Sequence, residues 1–278
     1  MALAIATNNA ALNAAASASS VNRDMETSMA RLSSGKRINS ASDDAAGVAI
    51  SSRLSAEIRG TDQAIRNSLD GQALIDTAEG AHKEIENILQ RMREVAVQAN
   101  NDTNNTQDRE NLQAEMTAMS AEVSRIAGTT TWAGANLMEA AKSTFSFQVG
   151  SATGTQNQIA VTIVSMNAAG LDVEVSDLDI DDTAAKRYTA IDNIDAAIKT
   201  VNDQRSELGA VSNRLNHTVN NLTNISSNLS AAKGGIEDAD FALETTNLAK
   251  NQILQQASTA MLAQANASKQ NVLSLLQG

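Results

Sequence analysis

The chain contains no cysteine and no proline. Without thiols there is neither a disulfide nor a thiolate metal ligand. Without proline, no helix is interrupted by a residue that lacks an N–H. Aromatic residues make up only 2% of the 278, with one Trp, one Tyr and three Phe, so the core has to be Ala, Leu, Ile, Val and Met in helical seams. Positive charge is also in deficit. A net charge of −11 argues against nucleic acid, because neutralising phosphates takes clustered Lys and Arg. No basic amphipathic stretch suggests a membrane surface, and no apolar run reaches the roughly 18 residues that span a bilayer. The opening MALAIATNNAALNAAASASS has no positive n-region and is broken by Asn8, Asn9 and Asn13, so it does not read as a secretory signal.

What is present is helical periodicity. From Asp43 to Asn100, apolar or small residues recur at Ile50, Leu54, Ile58, Ile65, Leu69, Leu74/Ile75, Ala78, His82, Ile85, Leu89, Met92, Ala96 and Ala99. Steps of mostly three and four place one narrow stripe along a single helix, with charges on its other faces, as in a coiled-coil strand. Before it, Gly35 and a Ser/Asn/Asp cluster end a first helix, and Ser42 or Asp43 can cap the long one. After it, NNDTNNTQ turns the chain into a third helix, with Leu112, Met116, Met119, Val123 and Ile126 on one face. That helix folds back as a hairpin.

The character changes at Gly128. Phe145, Phe147 and Val149, then Ile159, Val161 and Ile163, follow period two and predict a small β-hairpin region. A heptad-like stripe returns over 183–231, through Ile191, Ile194, Ile198, Val201, Leu208, Val211, Leu215, Val219, Leu222, Ile225 and Leu229. Its length matches the 43–100 helix, so an antiparallel pairing of the two covers both stripes. Lys233-Gly234-Gly235 is expected to break this helix, and IEDADFA to open the last one with acidic residues near its N-terminal dipole.

The two ends are alike. No charge occurs between Met1 and Asn22, and Lys269 is the sole charge from Asn251 to Gly278. Both ends keep a stripe, Val21, Met25, Met29 and Leu32 at one and Leu254, Ala257, Met261, Ala265, Ser268, Val272 and Leu275 at the other. Uncharged helical faces in water invite association, so the ends are expected to be buried in an assembly. The fold class is therefore mainly α: a long antiparallel coiled-coil rod with a small β-hairpin region and pairing terminal helices. The division is 1–42 with 235–278, 43–128 with 183–234, and 129–182.

Chemistry is hard to find. His82 and His217 are the only histidines, and His82 has no second ligand at helical spacing. It reads as a core histidine. Asp172, Glu174, Asp177, Asp179, Asp181 and Asp182 lack the glycine and bidentate glutamate of an EF-hand, and read as a solvated acidic loop. No catalytic, cofactor-binding or metal residue is assigned.

Several segments resemble bacterial flagellin: RLSSGKRINSASDDAAGVAISSRL (31–54), LQRMREVAVQANN (89–101), IEDADFALETTNLAKNQILQQASTAMLAQAN (236–266) and the closing VLSLLQG. The resemblance covers 1–140 and 183–278 and implies a structural subunit of a helical homopolymer, the extracellular filament of the flagellum. The uncharged ends would form its inner coiled coil. It also implies export through the flagellar type III channel without a cleaved signal, an export chaperone on Ile236–Leu276, and cap and hook-junction proteins at the filament's ends. The family's surface for a vertebrate Toll-like flagellin receptor resembles Gln90, Arg91, Arg93, Glu94, Val95, Val97 and Gln98, with Glu115 beside them. Rival readings are a hook–filament junction protein of the same family and, from another class, a signalling coiled-coil hairpin.

Overall fold

The structure is a computed structural model that describes residues 7–139, 142–180 and 183–277, with side chains through Ser268. The chain divides into two compact units, one of Met1–Glu57 with Asn228–Gly278 and one of Ile58–Ser227.

The larger unit holds most of α2 (Ala45–Ala99) and of α4 (Ala184–Glu237), with α3 (Thr106–Thr129), two short strands β1 (Thr131–Trp132) and β2 (Ala135–Asn136), and the hairpin β3 (Lys142–Gln148) with β4 (Gln158–Val164). Within it α2 and α4 are antiparallel. Arg93 pairs with Asp195 at 2.6 Å, and further back Arg205 reaches Glu86 and, at 3.6 Å, Glu79. Ser226 donates to Asp62 at 2.9 Å. The buried line of α2 runs Thr61, Ala64, Ser68, Gly71, Ile75, Ala78, His82, Ile85, Leu89, Met92, Ala96, Ala99, and faces Ala190, Ile194, Ala197, Val201, Gln204, Leu208, Leu215 and Leu222 of α4.

Two positions of the expected α2 stripe do not belong to it. Ile50 and Leu69 are 39% and 48% exposed, and Ile65 is only half-buried. The seam runs one residue earlier, at Ala64 and Ser68, and consists of small side chains for a steric reason. A Cβ on Gly71 would lie 3.3 Å from both Leu215 and Phe147, so at this level α4 and β3 crowd against the α2 backbone.

An Asn105–Asp108 capping box starts α3. The helix is tied back to α2 by Arg109 donating to the Ala99 carbonyl at 3.2 Å. Its buried line is Met116, Ser120, Val123 and Ala127, with Leu112, Met119 and Ile126 half-buried beside it. The hairpin pairs Phe145 with Val161 and Phe147 with Ile159, and its apolar face joins the helical core. The amide of Gln204 both donates to Thr162 O (3.0 Å) and accepts from Val164 N (3.3 Å). A buried polar residue on α4 thereby satisfies the free edge of β4.

The smaller unit centres on α1 (Asn9–Ser34) and α5 (Phe241–Gln277). Gly35 ends α1 in the left-handed conformation (φ 70°). Asp43 does not cap α2. Its carboxylate accepts from the Asn39 and Ser40 backbone N–H groups at 3.0 and 2.8 Å, and these bonds, Ser40 first, hold its pKa below the usual value. The cap is Asp44, which accepts from Gly47 N at 2.8 Å. Nor do Gly234 and Gly235 break α4, which continues to Glu237. Arg37 N donates to Glu237 O (2.7 Å), Lys36 bridges Asp238, and the Lys36 ammonium pairs with Glu237 at 2.8 Å. These bonds hold the helix end that two glycines would otherwise loosen. Asp240 caps α5, accepting from Ala242 N and Leu243 N.

Candidate assembly and contact surfaces

The α1–α5 pair is antiparallel. Arg31 meets Glu244 at 3.1 Å, Asn22 accepts from Gln255 at 2.8 Å, and Asn8 donates to the Ala265 carbonyl at 3.1 Å. The residues covered between the two helices repeat by fours and threes: Ala11, Ala14, Ala18, Val21, Met25, Ser28 and Leu32 on α1, and Glu244, Leu248, Asn251, Gln255, Ser258, Leu262 and Ala265 on α5. This is heptad geometry filled largely with small and polar side chains. Glu244 is 5% exposed, and its charge is met by Arg31 and by its place in the first turn of α5.

Several large apolar side chains nevertheless lie outside the seam. Leu12 (62%), Met29 (54%), Leu243 (58%), Ile253 (66%), Leu254 (40%) and Met261 (67%) are exposed. Of the expected terminal stripes, Val21, Met25, Leu32 and Ala265 lie in the seam, whereas Met29, Leu254, Ala257 and Met261 face away from it. The side chains of Val272 and Leu275 lie outside the described residues. Sequence periodicity missed Leu12, Leu243 and Ile253. Their signal was an apolar residue falling off the heptad.

A second surface lies in the larger unit, where α2 meets α3 and α4. Arg91 donates to Glu115 at 2.9 Å and to Glu94 at 3.0 Å. Arg93 is held by Asp195. These carboxylates raise both guanidinium pKa values, Glu115 foremost for Arg91. Gln90, Arg91, Arg93, Glu94, Val97 and Gln98 are exposed, Val97 by 50%, and Glu115 is half-buried. Val95 departs from the expectation. It is 0% exposed and part of the core, because it sits three residues beyond Met92 on the buried side. Asp195 belongs to the surface although no local pattern points to it: Arg93's partner is 102 residues away on another helix.

His82 is 0% exposed. Its Nδ1–H donates to the Ala78 carbonyl at 2.6 Å and its Nε2 has no partner. Among the described residues no three His, Asp or Glu side chains come together to hold a metal ion. Asp179 of the acidic loop pairs with Lys186 at 2.7 Å, while Asp181 and Asp182 lie outside the described residues. Among the described residues, no helix is long and apolar enough to cross a membrane.

A helix pair that leaves several large apolar side chains in water beside a partly polar seam fits a subunit made for self-association. Residues 5–143 match the bacterial flagellin N-terminal helical region and residues 191–276 the bacterial flagellin C-terminal helical region. A flagellin of Halalkalibacterium halodurans is 47% identical over 252 residues, spanning 91% of this chain and 92% of that one. A flagellin of Bacillus subtilis strain 168 is 43% identical over 303 residues, spanning 97% and 98%. A solved structure of a Vibrio parahaemolyticus protein assigned as flagellar hook-associated shares the fold, with TM-score 0.59 and 15% identity over 70% of this chain and 100% of that one. The chain belongs to the bacterial flagellin family. It is a structural subunit that polymerises into the extracellular flagellar filament, and neither the hook–filament junction nor the signalling-hairpin reading is favoured.

Proposed function

We propose that the outward faces of α1 and α5, carried by Met29, Leu254, Ala257 and Met261 with Leu12 and Ile253, are the contacts through which subunits polymerise. One observation supports this above others: large apolar side chains of α1 and α5, Met29, Ile253 and Met261 among them, stay in water while Ser28, Asn251, Gln255 and Ser258 take places in the seam, which a pair complete by itself would not need. Residues 1–42 and 235–278 then form the polymerisation core, 43–128 with 183–234 the helical rod domain, and 129–182 a short variable segment. The contact is heterologous and does not close, so it propagates as a helix.

Export proceeds through the flagellar type III route with a chaperone on the α5 helix, which offers that chaperone the same uncovered apolar side chains. Cap and hook-junction proteins meet the subunits at the filament's two ends. The exposed surface of Gln90, Arg91, Arg93, Glu94, Val97 and Gln98, with half-buried Glu115 beside it, serves subunit packing and a Toll-like receptor, with Val95 acting through the core instead of by contact.

The test is the double variant Leu254→Asp with Met261→Asp, mixed with filament seeds and assayed by sedimentation and negative-stain microscopy. It is expected to stay in the supernatant with undiminished helical circular dichroism. Filaments formed at the wild-type threshold would refute the assignment of these faces.

A further inference from the structure

Nine methionines occur in the chain, and the eight among the described residues fall into three environments. Met92, Met116, Met138 and Met166 are 0% exposed in the core of the larger unit. Met25 and Met119 are half-buried. Met29 and Met261, by contrast, are 54% and 67% exposed, one on α1 and one on α5, both on faces turned away from the α1–α5 seam. A thioether reacts with peroxide according to its accessibility, and the product exchanges an apolar group for a polar one.

We propose that Met29 and Met261 are modification sites for a peroxide, and that their oxidation prevents the free subunit from joining a filament. The chemistry is a two-electron oxygen transfer. The sulfur lone pair attacks one oxygen of hydrogen peroxide, the O–O bond breaks and an S–O bond forms. The proton on the transferred oxygen moves to the departing one, which leaves as water. Sulfur is oxidised to the sulfoxide and the peroxide is reduced, so no further reactant is required. A sulfoxide oxygen carried into an apolar contact loses its water without gaining a donor. The threshold concentration for assembly therefore rises by about tenfold or more. Reduction of the sulfoxide, by an enzyme of the methionine sulfoxide reductase class, restores the thioether. The effect on assembly rests on the polymerisation faces assigned above, whereas the site of oxidation rests on exposure alone.

The experiment treats full-length subunits and preformed filaments with hydrogen peroxide, maps added oxygen by peptide mass spectrometry and measures seeded growth by sedimentation. In free subunits Met29 and Met261 are expected to oxidise at least about tenfold faster than Met92, Met116, Met138 and Met166. The oxidised chain should fail to extend seeds, and reductase should restore growth. A Met29→Leu, Met261→Leu variant, which keeps apolar volume, should keep growing after the same dose. Equal oxidation of core and surface methionines would overturn the proposal. So would a chain oxidised at both sites that still extends seeds, and that result would leave the polymerisation faces standing. If Met29 and Met261 oxidise as fast in filaments as in free subunits, the faces are not covered on assembly and both the proposal and the reading beneath it fail.

Discussion

Acidification is expected to destabilise the larger unit through one side chain, His82. A carbonyl can only accept, so the 2.6 Å contact to Ala78 O fixes the neutral tautomer with hydrogen on Nδ1. Nε2 is left as a bare lone pair with no partner in a residue 0% exposed. Protonation would create a buried N–H with no acceptor. Burial is accordingly the largest cause of a pKa held below 6.5, the Ala78 bond and Glu79 opposing it and Arg205 from α4 adding to it. In the unfolded chain the ring titrates at its ordinary value, so the unfolded state binds more protons than the folded one as pH drops below that value. Stability is thus fully present above about pH 6.5 and lost as pH falls toward the depressed folded value. While the folded ring stays neutral, passing from about pH 7.5 to about 5.5 costs about 1.4 kcal/mol. Urea unfolding of wild type and His82→Leu, followed by circular dichroism at both pH values, measures the term directly. The leucine variant should lose less stability over this interval, by about that amount. Equal losses in the two proteins would refute the assignment, since His217 and every carboxylate remain in both.

Two substitutions probe packing and capping. Gly71→Val should destabilise the larger unit by roughly 1–3 kcal/mol, because its methyl groups project past a Cβ position already 3.3 Å from Leu215 and Phe147; a urea midpoint equal to wild type would show that the neighbours yield freely. Asn105→Ala removes the side chain that accepts from Asp108 N at 2.8 Å and should cost about 1 kcal/mol, measured by the same unfolding curves.

Helix identity and pairing were legible because 3.6-residue periodicity persists over long proline-free stretches, and the hairpin because period two replaces it. The choice of face was less legible. Following the largest apolar residues leads to Ile65 and Leu69, yet the neighbouring Ala64 and Ser68 are the ones buried. A close approach selects small side chains, which carry little hydrophobic signal. The same rule misreads α5, where Leu254 and Met261 outrank Asn251, Gln255 and Ser258 in hydrophobicity while the latter face α1. Gly234 and Gly235 looked like a stop because glycine is costly in helices. Long-range bonds from Arg37 and Lys36 outweigh that cost, and local sequence carries no sign of them. For the exposed surface, the positions of Gln90–Gln98 followed from the resemblance, but the burial of Val95 and the Arg93–Asp195 pair required coordinates.

The polar seam between α1 and α5 has a thermodynamic consequence for growth. Asn22, Gln255, Ser28 and Ser258 all find water when the helices part, so closure of the pair by itself rests on Val21, Met25, Leu32, Leu248 and Leu262. Neighbours that bind only the closed pair add their binding energy to its closure. A subunit at a filament's tip, touched on one side, is then less firmly closed than one in the interior. Gain and loss of subunits concentrate at the tip, while the shaft behind it stays fixed.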